Sequence, residues 1–175
     1  MKAQSGFTLV ELMIVVAIIG IVLAIATMNF TQWNDKYTVE SYTKEIHSIL
    51  MKARNDAANT NTQIRVTLAA NLVTTHQDTD GDGVVDPGEP TTTKPYPRFV
   101  LNSNVGGGLP TTIIFDRRGM TDNIQSINIP ARPLNPAGYS PNASPGVDCV
   151  VVATTRINMG RWDPAQPAGL QCVQQ

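Results

Sequence analysis

The segment from Phe7 to Met28 is apolar at almost every position, yet it holds one acid, Glu11, near its start. A run of this length matches the roughly 20 residues a helix needs to cross the hydrocarbon of a bilayer. No other feature restricts the fold as much, because a modest domain has no way to bury such a rod on its own. Glu11 is the anomaly. An ionisable side chain in a membrane-length segment is costly and by default marks function.

A secretory signal also places a basic residue ahead of an apolar core, as Lys2 stands here. Such a signal has a shorter core and a small-residue cleavage site after it. Thr27-Met28-Asn29-Phe30-Thr31 is no such site. As a plain anchor, the run would keep its N-terminus cytoplasmic through Lys2 and leave the remaining chain across the membrane. The 175 residues allow one modest domain beyond the rod, and a net charge of -1 does not suggest a strongly nucleic-acid-binding or polyacidic protein.

Beyond the apolar run, residues 29–58 continue as helix. Phe30, Trp33, Tyr37, Tyr42, Ile46, Ile49, Leu50, Ala53 and Ala57 recur mostly at spacings of three and four, with a step of five from Tyr37 to Tyr42. No Pro or Gly falls between Gly20 and residue 60, so one helix is expected from Phe7 to Ala58. From Asn59 the period changes to two. "TQIRVTLA" and "NLVTTH" read as a hairpin turning at Ala70-Asn71, and "PRFVLN", "TTIIFD", "QSINIP", "DCVVVATTRIN" and "GLQCV" as further strands. "DPGEPTTTKPYP" and the proline-rich "PARPLNPAGYSPNASPG" break the pattern and are expected as irregular loops. The expected fold is α+β: a long N-terminal helix packed on a small antiparallel sheet.

"SGFTLVELMIVVAIIGIVLA" resembles the class III prepilin signature, a polar leader ending in Gly, then Phe, Thr, Leu, an apolar residue and Glu. Type IV pilins and type II secretion pseudopilins carry it. The resemblance implies a leader of residues 1–6, cut between Gly6 and Phe7 by a prepilin peptidase, and N-methylation of Phe7. It implies a transmembrane and filament-core helix at 7–28, an amphipathic continuation at 29–58 and an extracytoplasmic β-rich domain at 59–175. Partners would be other pilin or pseudopilin subunits and an inner-membrane assembly platform.

The chemistry of Glu11 fits that scheme independently. Cleavage creates an ammonium at Phe7, and a carboxylate four residues on neutralises it in the same chain or in a neighbour. Pairing inside a bundle of apolar helices offsets the desolvation of both ions. If the partner belongs to the assembled neighbour, the Glu11–Phe7 pair also sets axial register. A glutamate snorkelling at the cytoplasmic interface would explain its position but not the Gly-Phe junction.

"RNDAANTNTQIRVTL", "IIFDRRGM" and "VVVATTRINMGRW" resemble the GspH/FimT-type minor pilins and pseudopilins, in which a late hairpin follows several strands. Major pilins usually carry a proline near residue 28; Met28 stands there and favours a minor or pseudopilin-like subunit. A DNA-uptake minor pilin and a major subunit are the alternatives.

"DTDGDGVVDPGE", residues 78–89, fits the twelve-residue calcium loop of EF-hands. Asp78, Asp80 and Asp82 supply oxygens at loop positions one, three and five, Gly83 makes the turn, and the Val84 carbonyl is the next ligand. Asp86 acts directly or through water, and Glu89 closes the site. All-oxygen ligands favour Ca²⁺ over transition metals. Pro87 and Pro90 prevent an exiting helix, so the loop is EF-like and its calcium structural; the alternative is a solvated acidic turn.

Cys149 and Cys172 lie in the extracytoplasmic part, where a bridge is permitted; a pair of free buried thiols is the other reading. Outside the loop the domain has eight basic and four acidic residues, so Arg117, Arg118, Arg156 and Arg161 form either a mild DNA-binding patch or scattered surface charge. No catalytic motif is evident, and His47 and His76 read as structural.

Overall fold

The computed structural model describes residues 6–97, 101–103, 109–122, 125–128, 145–163, 165–167 and 170–174; the side chains of residues 25–29, 31, 32, 102, 125, 126 and 128 also lie outside it. The leader residues Met1–Ser5 and nearly all of the proline-rich segment 130–146 fall outside the described residues, as does the centre of the expected strand at 97–102.

A single helix, α1 (Leu9–Thr60), runs for 52 residues without a break at Met28. At 1.5 Å per residue that is about 78 Å. Thr8 caps its start and Asn61, in the left-handed conformation at φ 54°, ends it. Among the described residues no helical stretch is long and apolar enough to cross a membrane. The expected span at 7–28 includes residues 25–28, whose side chains are not described. The described part is bare: every large apolar side chain from Phe7 to Leu23 is more than half exposed.

The second half of α1 is buried along one stripe: Val39, Thr43, Ile46, Leu50, Ala53 and Ala57 are each 0–1% exposed. This corrects the expected stripe. Phe30, Trp33 and Tyr37 are 65–68% exposed and belong to another face. The step of five between Tyr37 and Tyr42 turns the helix roughly 140° past a full turn, so the aromatic positions before it and the core positions after it cannot share a side. Ala53 and Ala57 leave room for the sheet to approach closely, while Ile46 and Leu50 fill the centre of the core. Truncating a buried side chain such as Leu50 typically costs 2–5 kcal/mol.

The helix carries two antiparallel sheets where one was expected. The first has the order β3-β2-β1-β5, from β1 (Gln63–Ala69), β2 (Leu72–Asp78), β3 (Thr91–Pro95) and β5 (Thr111–Phe115). Its β1–β2 hairpin turns at Ala70-Asn71 as expected, with Ala69 opposite Leu72. Ile64, Val66 and Leu68 alternate into the core with Ile113 and Phe115. Strand β3 corrects the reading of 86–97 as wholly irregular. It is an edge strand exposed along its whole length, so it lacks the apolar alternation that marks a half-buried strand. Its Pro95 is tolerated because an edge strand needs no second ladder. Lys94 of β3 reaches Glu45 of α1 at 2.5 Å, and the buried Tyr96 ring meets Tyr42 edge-on at 4.9 Å.

The second sheet has the order β4-β6-β7-β8-β9, from β4 (Asn102–Ser103), β6 (Gln125–Asn128), β7 (Cys149–Val152), β8 (Ile157–Trp162) and β9 (Cys172–Gln174). "DCVVVATTRIN" is therefore β7, a turn and the start of β8 rather than one strand. Cys149 and Cys172 form a disulfide that ties β7 to β9 across β8. Gly160 passes beneath it, so close to the Val173 carbonyl that no β-carbon fits there.

Beside the bridge, Asp148 is 7% exposed and accepts the Trp162 N–H at 2.6 Å. Burial pushes its carboxyl above the usual aspartate range, with that N–H and Arg161 opposing. A raised folded-state pKa means the native state holds the proton longer than the unfolded chain. The favourable contribution is full below the unfolded value and is lost as pH rises through the folded one. Asp148→Asn keeps an oxygen for the Trp162 N–H and removes the ionisation. Melting curves across pH 3–8, on the order of the range where aspartates titrate, should show the variant gaining on the wild type as pH rises; a gap that narrows instead would contradict this.

Candidate functional sites at the helix start and the acidic loop

Two sites stand at opposite ends of the molecule's chemistry. At the start of α1, Thr8 and Glu11 form a reciprocal cap. The Glu11 Oε2 atom accepts from the Thr8 N–H and the Thr8 hydroxyl, each at 2.9 Å, while the Thr8 Oγ1 accepts the Glu11 N–H at 3.2 Å. The arrangement satisfies two of the donors that a helix start leaves orphaned. It also answers for Glu11 before any cleavage: the acid has a local task in the uncut chain. The Thr8 N–H it holds is the peptide next to Phe7, so the carboxylate already sits beside the end that cleavage at Gly6-Phe7 would expose.

At the other site, strand β2 delivers Asp78 buried at the mouth of the acidic loop. Its Oδ1 accepts the Gly81 N–H at 2.6 Å and its Oδ2 the Gly83 N–H at 3.0 Å. Gly81 and Gly83 have φ of 82° and 83°, the left-handed region that a glycine enters without penalty. Asp80 Oδ1 accepts the Asp82 N–H at 3.2 Å, and Asp82 Oδ1 the Val84 N–H at 2.7 Å. These turns bring one carboxylate oxygen each from Asp78, Asp80 and Asp82 within 4.8 Å of one another.

Asp86 and Glu89 stand outside that trio. Glu89 staples the loop shut: its Oε1 accepts the Thr79 N–H at 2.6 Å and its Oε2 the Asp86 N–H at 3.1 Å. The Thr79 N–H, followed by the Asp86 N–H, holds the Glu89 carboxyl down at about 2. The Asp82 carboxylate, foremost among its acidic neighbours, pushes Asp86 up. The negative charges of the loop thus repel one another, and a hard cation among them would relieve that repulsion. The donor set is all oxygen, the glycines stand where the turn needs them, and the first three acids converge. Asp78, Asp80 and Asp82 therefore fit Ca²⁺, whereas the expected ligands Glu89, held by the Thr79 and Asp86 N–H groups, and the Val84 carbonyl, set against His76, are engaged within the loop itself.

Three residues around this loop were not legible as its neighbours. His76 reads from sequence as a strand-end residue, but it is buried, with Nε2 at 2.8 Å from Glu89 Oε2 and 3.2 Å from the Val84 carbonyl oxygen. Its Nδ1 lies 3.1 Å from the Thr91 hydroxyl. Arg65 on β1 places Nε 3.9 Å from Asp78 Oδ2 and its guanidinium against Gly83. Arg117 lies against Gly81. The cross-strand register supplies the first two, since Arg65 faces His76 across the β1–β2 ladder. Only the alternation of β1 hinted at that.

The four arginines considered for DNA are placed differently. Arg117 and Arg118 are exposed on the turn closed by Asp116, whose Oδ1 accepts the Arg118 and Met120 N–H groups at 2.9 and 2.8 Å. That turn abuts the β7–β8 turn carrying the exposed Arg156, through Thr121 N–H to the Thr154 carbonyl at 3.3 Å. Arg161 acts on Asp148, and Arg117 leans on the acidic loop. His47 is a helix-face residue whose Nε2 lies 3.1 Å from the Ile157 carbonyl oxygen.

A helix whose first half is bare and apolar, and whose second half is packed under antiparallel sheets, defines an α+β protein with a free N-terminal rod. Residues 1–27 match the family described as the prokaryotic N-terminal methylation motif. Two fimbrial proteins of Pseudomonas aeruginosa are each 46% identical to this chain over 55 residues, covering 31% of this chain and 36% of the relative. The chain thus spans about a third of the length of the curated relatives it matches. No solved structure matches. The likeness is thus to the N-terminal methylation motif and to about a third of a fimbrial protein.

Proposed function

We propose that this chain is a processed filament subunit, a minor pilin or pseudopilin, that assembles through α1 into a type IV pilus or a type II secretion pseudopilus. The single observation that carries this is the bare rod: large apolar side chains from Phe7 to Leu23, more than half exposed, on the same unbroken helix that enters a packed domain. Water is the wrong solvent for that surface. Lipid covers it before assembly, and other subunits' helices cover it afterwards. The apolar contribution is on the order of 25 cal/mol per Å² covered.

In this reading a prepilin peptidase cuts Gly6-Phe7 and Phe7 is N-methylated, and Glu11 turns from helix cap to partner of the new ammonium. The span at 7–28 holds the subunit in the inner membrane with its domain in the periplasm, and an assembly platform draws it into the fibre. Calcium bound by residues 78–89 pins a loop that is otherwise self-repelling.

Fractionation tests the proposal. In cells that make the fibre, the chain should appear in sheared filaments, and it should leave them when the prepilin peptidase is removed. Retention in the membrane fraction alone, with filaments otherwise intact, would overturn it. DNA uptake is the second reading, favoured by the abutting turns of Arg118 and Arg156; binding that weakens steeply with salt would support it.

A further inference from the structure

The aromatic positions displaced from the core define a surface of their own. At about 100° per residue, Phe30, Trp33 and Tyr37 fall within an arc of roughly 60°, with Val39 on the opposite side of the helix. Val39 is fully buried against the domain, while the three rings are 65%, 68% and 66% exposed. Trp33 and Tyr37 stack on each other with centroids 6.3 Å apart. The stripe therefore looks away from its own domain, and among the described residues nothing covers it.

Along that face the chemistry changes in order. Apolar residues run up to Leu23, the three rings follow, and Ser41, Lys44 and Ser48 succeed them, all exposed. A face evolved only to pack on another helix has no reason to grade from apolar through aromatic to polar along its length. A bilayer imposes that gradient, because Trp and Tyr favour the headgroup level, where one part of the ring is dry and its polar atom wet. The lengths agree as well. From Leu9, Phe30 lies about 32 Å along the axis and Tyr37 about 42 Å. The hydrocarbon is about 30 Å thick, and the bilayer with headgroups about 40–45 Å.

We infer that Phe30, Trp33 and Tyr37 form an interfacial belt that seats the unassembled subunit against the outer headgroups of the lipid bilayer and fixes its depth there. This rests on the membrane-anchored reading proposed above. The belt gives the stored subunit a defined height: the rings resist both sinking, which strips the polar atoms of water, and rising, which exposes the rod. Extraction into a filament must then break this seat as well as uncover the rod.

The test uses the full chain in phosphatidylglycerol–phosphatidylethanolamine vesicles whose acyl chains are brominated either near the headgroup or near the chain end. Wild type is compared with Trp33→Phe, a change on an exposed helix face that leaves the folded domain alone. Flotation with the vesicles after an alkaline wash reports insertion separately. The expected result is a quenchable part of the tryptophan emission that is at least about twice as strongly quenched by the shallow bromine as by the deep one, and that disappears in Trp33→Phe. Flotation with Trp33 untouched by either lipid overturns the belt alone, as does stronger quenching by the deep bromine. Photocrosslinking from residue 33 to a second copy, without lipid quenching, overturns it in favour of a subunit contact. Failure to float overturns the anchored reading itself, and the belt with it.

Discussion

Glu11→Gln is expected to leave synthesis, membrane insertion and leader removal intact, and to reduce incorporation into filaments by at least about a hundredfold. Glutamine preserves the shape of the side chain and its amide oxygen, so it can still accept the Thr8 N–H that Glu11 accepts at 2.9 Å. The helix start therefore survives. What the amide lacks is charge. In the proposed assembly, where the rod moves from lipid into a bundle of apolar helices, the Phe7 ammonium would lose its remaining water, and without a carboxylate nothing would offset that loss. Removing one partner of a buried ion pair is far more damaging than removing both, because a lone charge is left in a dry place. The measurement is the ratio of variant to wild type in sheared filaments, normalised to the membrane pool. Equal ratios would reduce Glu11 to a helix cap.

Calcium is expected to raise the melting temperature of the full chain in detergent by about 10 °C at a free concentration a hundredfold above its dissociation constant. Asp80→Ala should abolish the rise. The reasoning is local. Asp78 is already held by two N–H donors, and Glu89 by two more, so they would survive as loop staples even without metal. Asp80 makes a single bond, to the Asp82 N–H. Its loss costs the apo loop little and removes one of three converging oxygens. The contrast between metal-loaded and EDTA-treated protein thus isolates binding from loop folding. Melting curves that coincide with and without EDTA would leave the loop a solvated acidic turn.

How much of this was legible in the sequence depended on whether the signal was local. Helix α1 was readable because composition and spacing along one segment decide it; its end moved only from Ala58 to Thr60, where Asn61 supplies the left-handed cap. The β1–β2 hairpin was readable from alternation and a polar turn. Strand β3 was not, because Thr91–Pro95 is exposed throughout and its only reason to be a strand is the β2 edge it pairs with. The division into two sheets likewise depends on which strands meet, which no local period encodes.

The site shows the same split. The loop acids and glycines sit within twelve consecutive positions, so their pattern is visible in the chain. Arg65 and His76 enter from a paired strand register, and Arg117 from a distant turn. The aromatic stripe carries a local clue in the chain: the step of five at Tyr37–Tyr42 is the point where one helical face ends and another begins.

In the proposed assembly, proteolysis creates the positive end for which Glu11 is placed. Intact-mass analysis of the protein taken from native filaments or membranes tests it directly. A chain that begins at Phe7 and carries one added methyl group is the predicted result; a filament-borne chain that still carries residues 1–6 would contradict it.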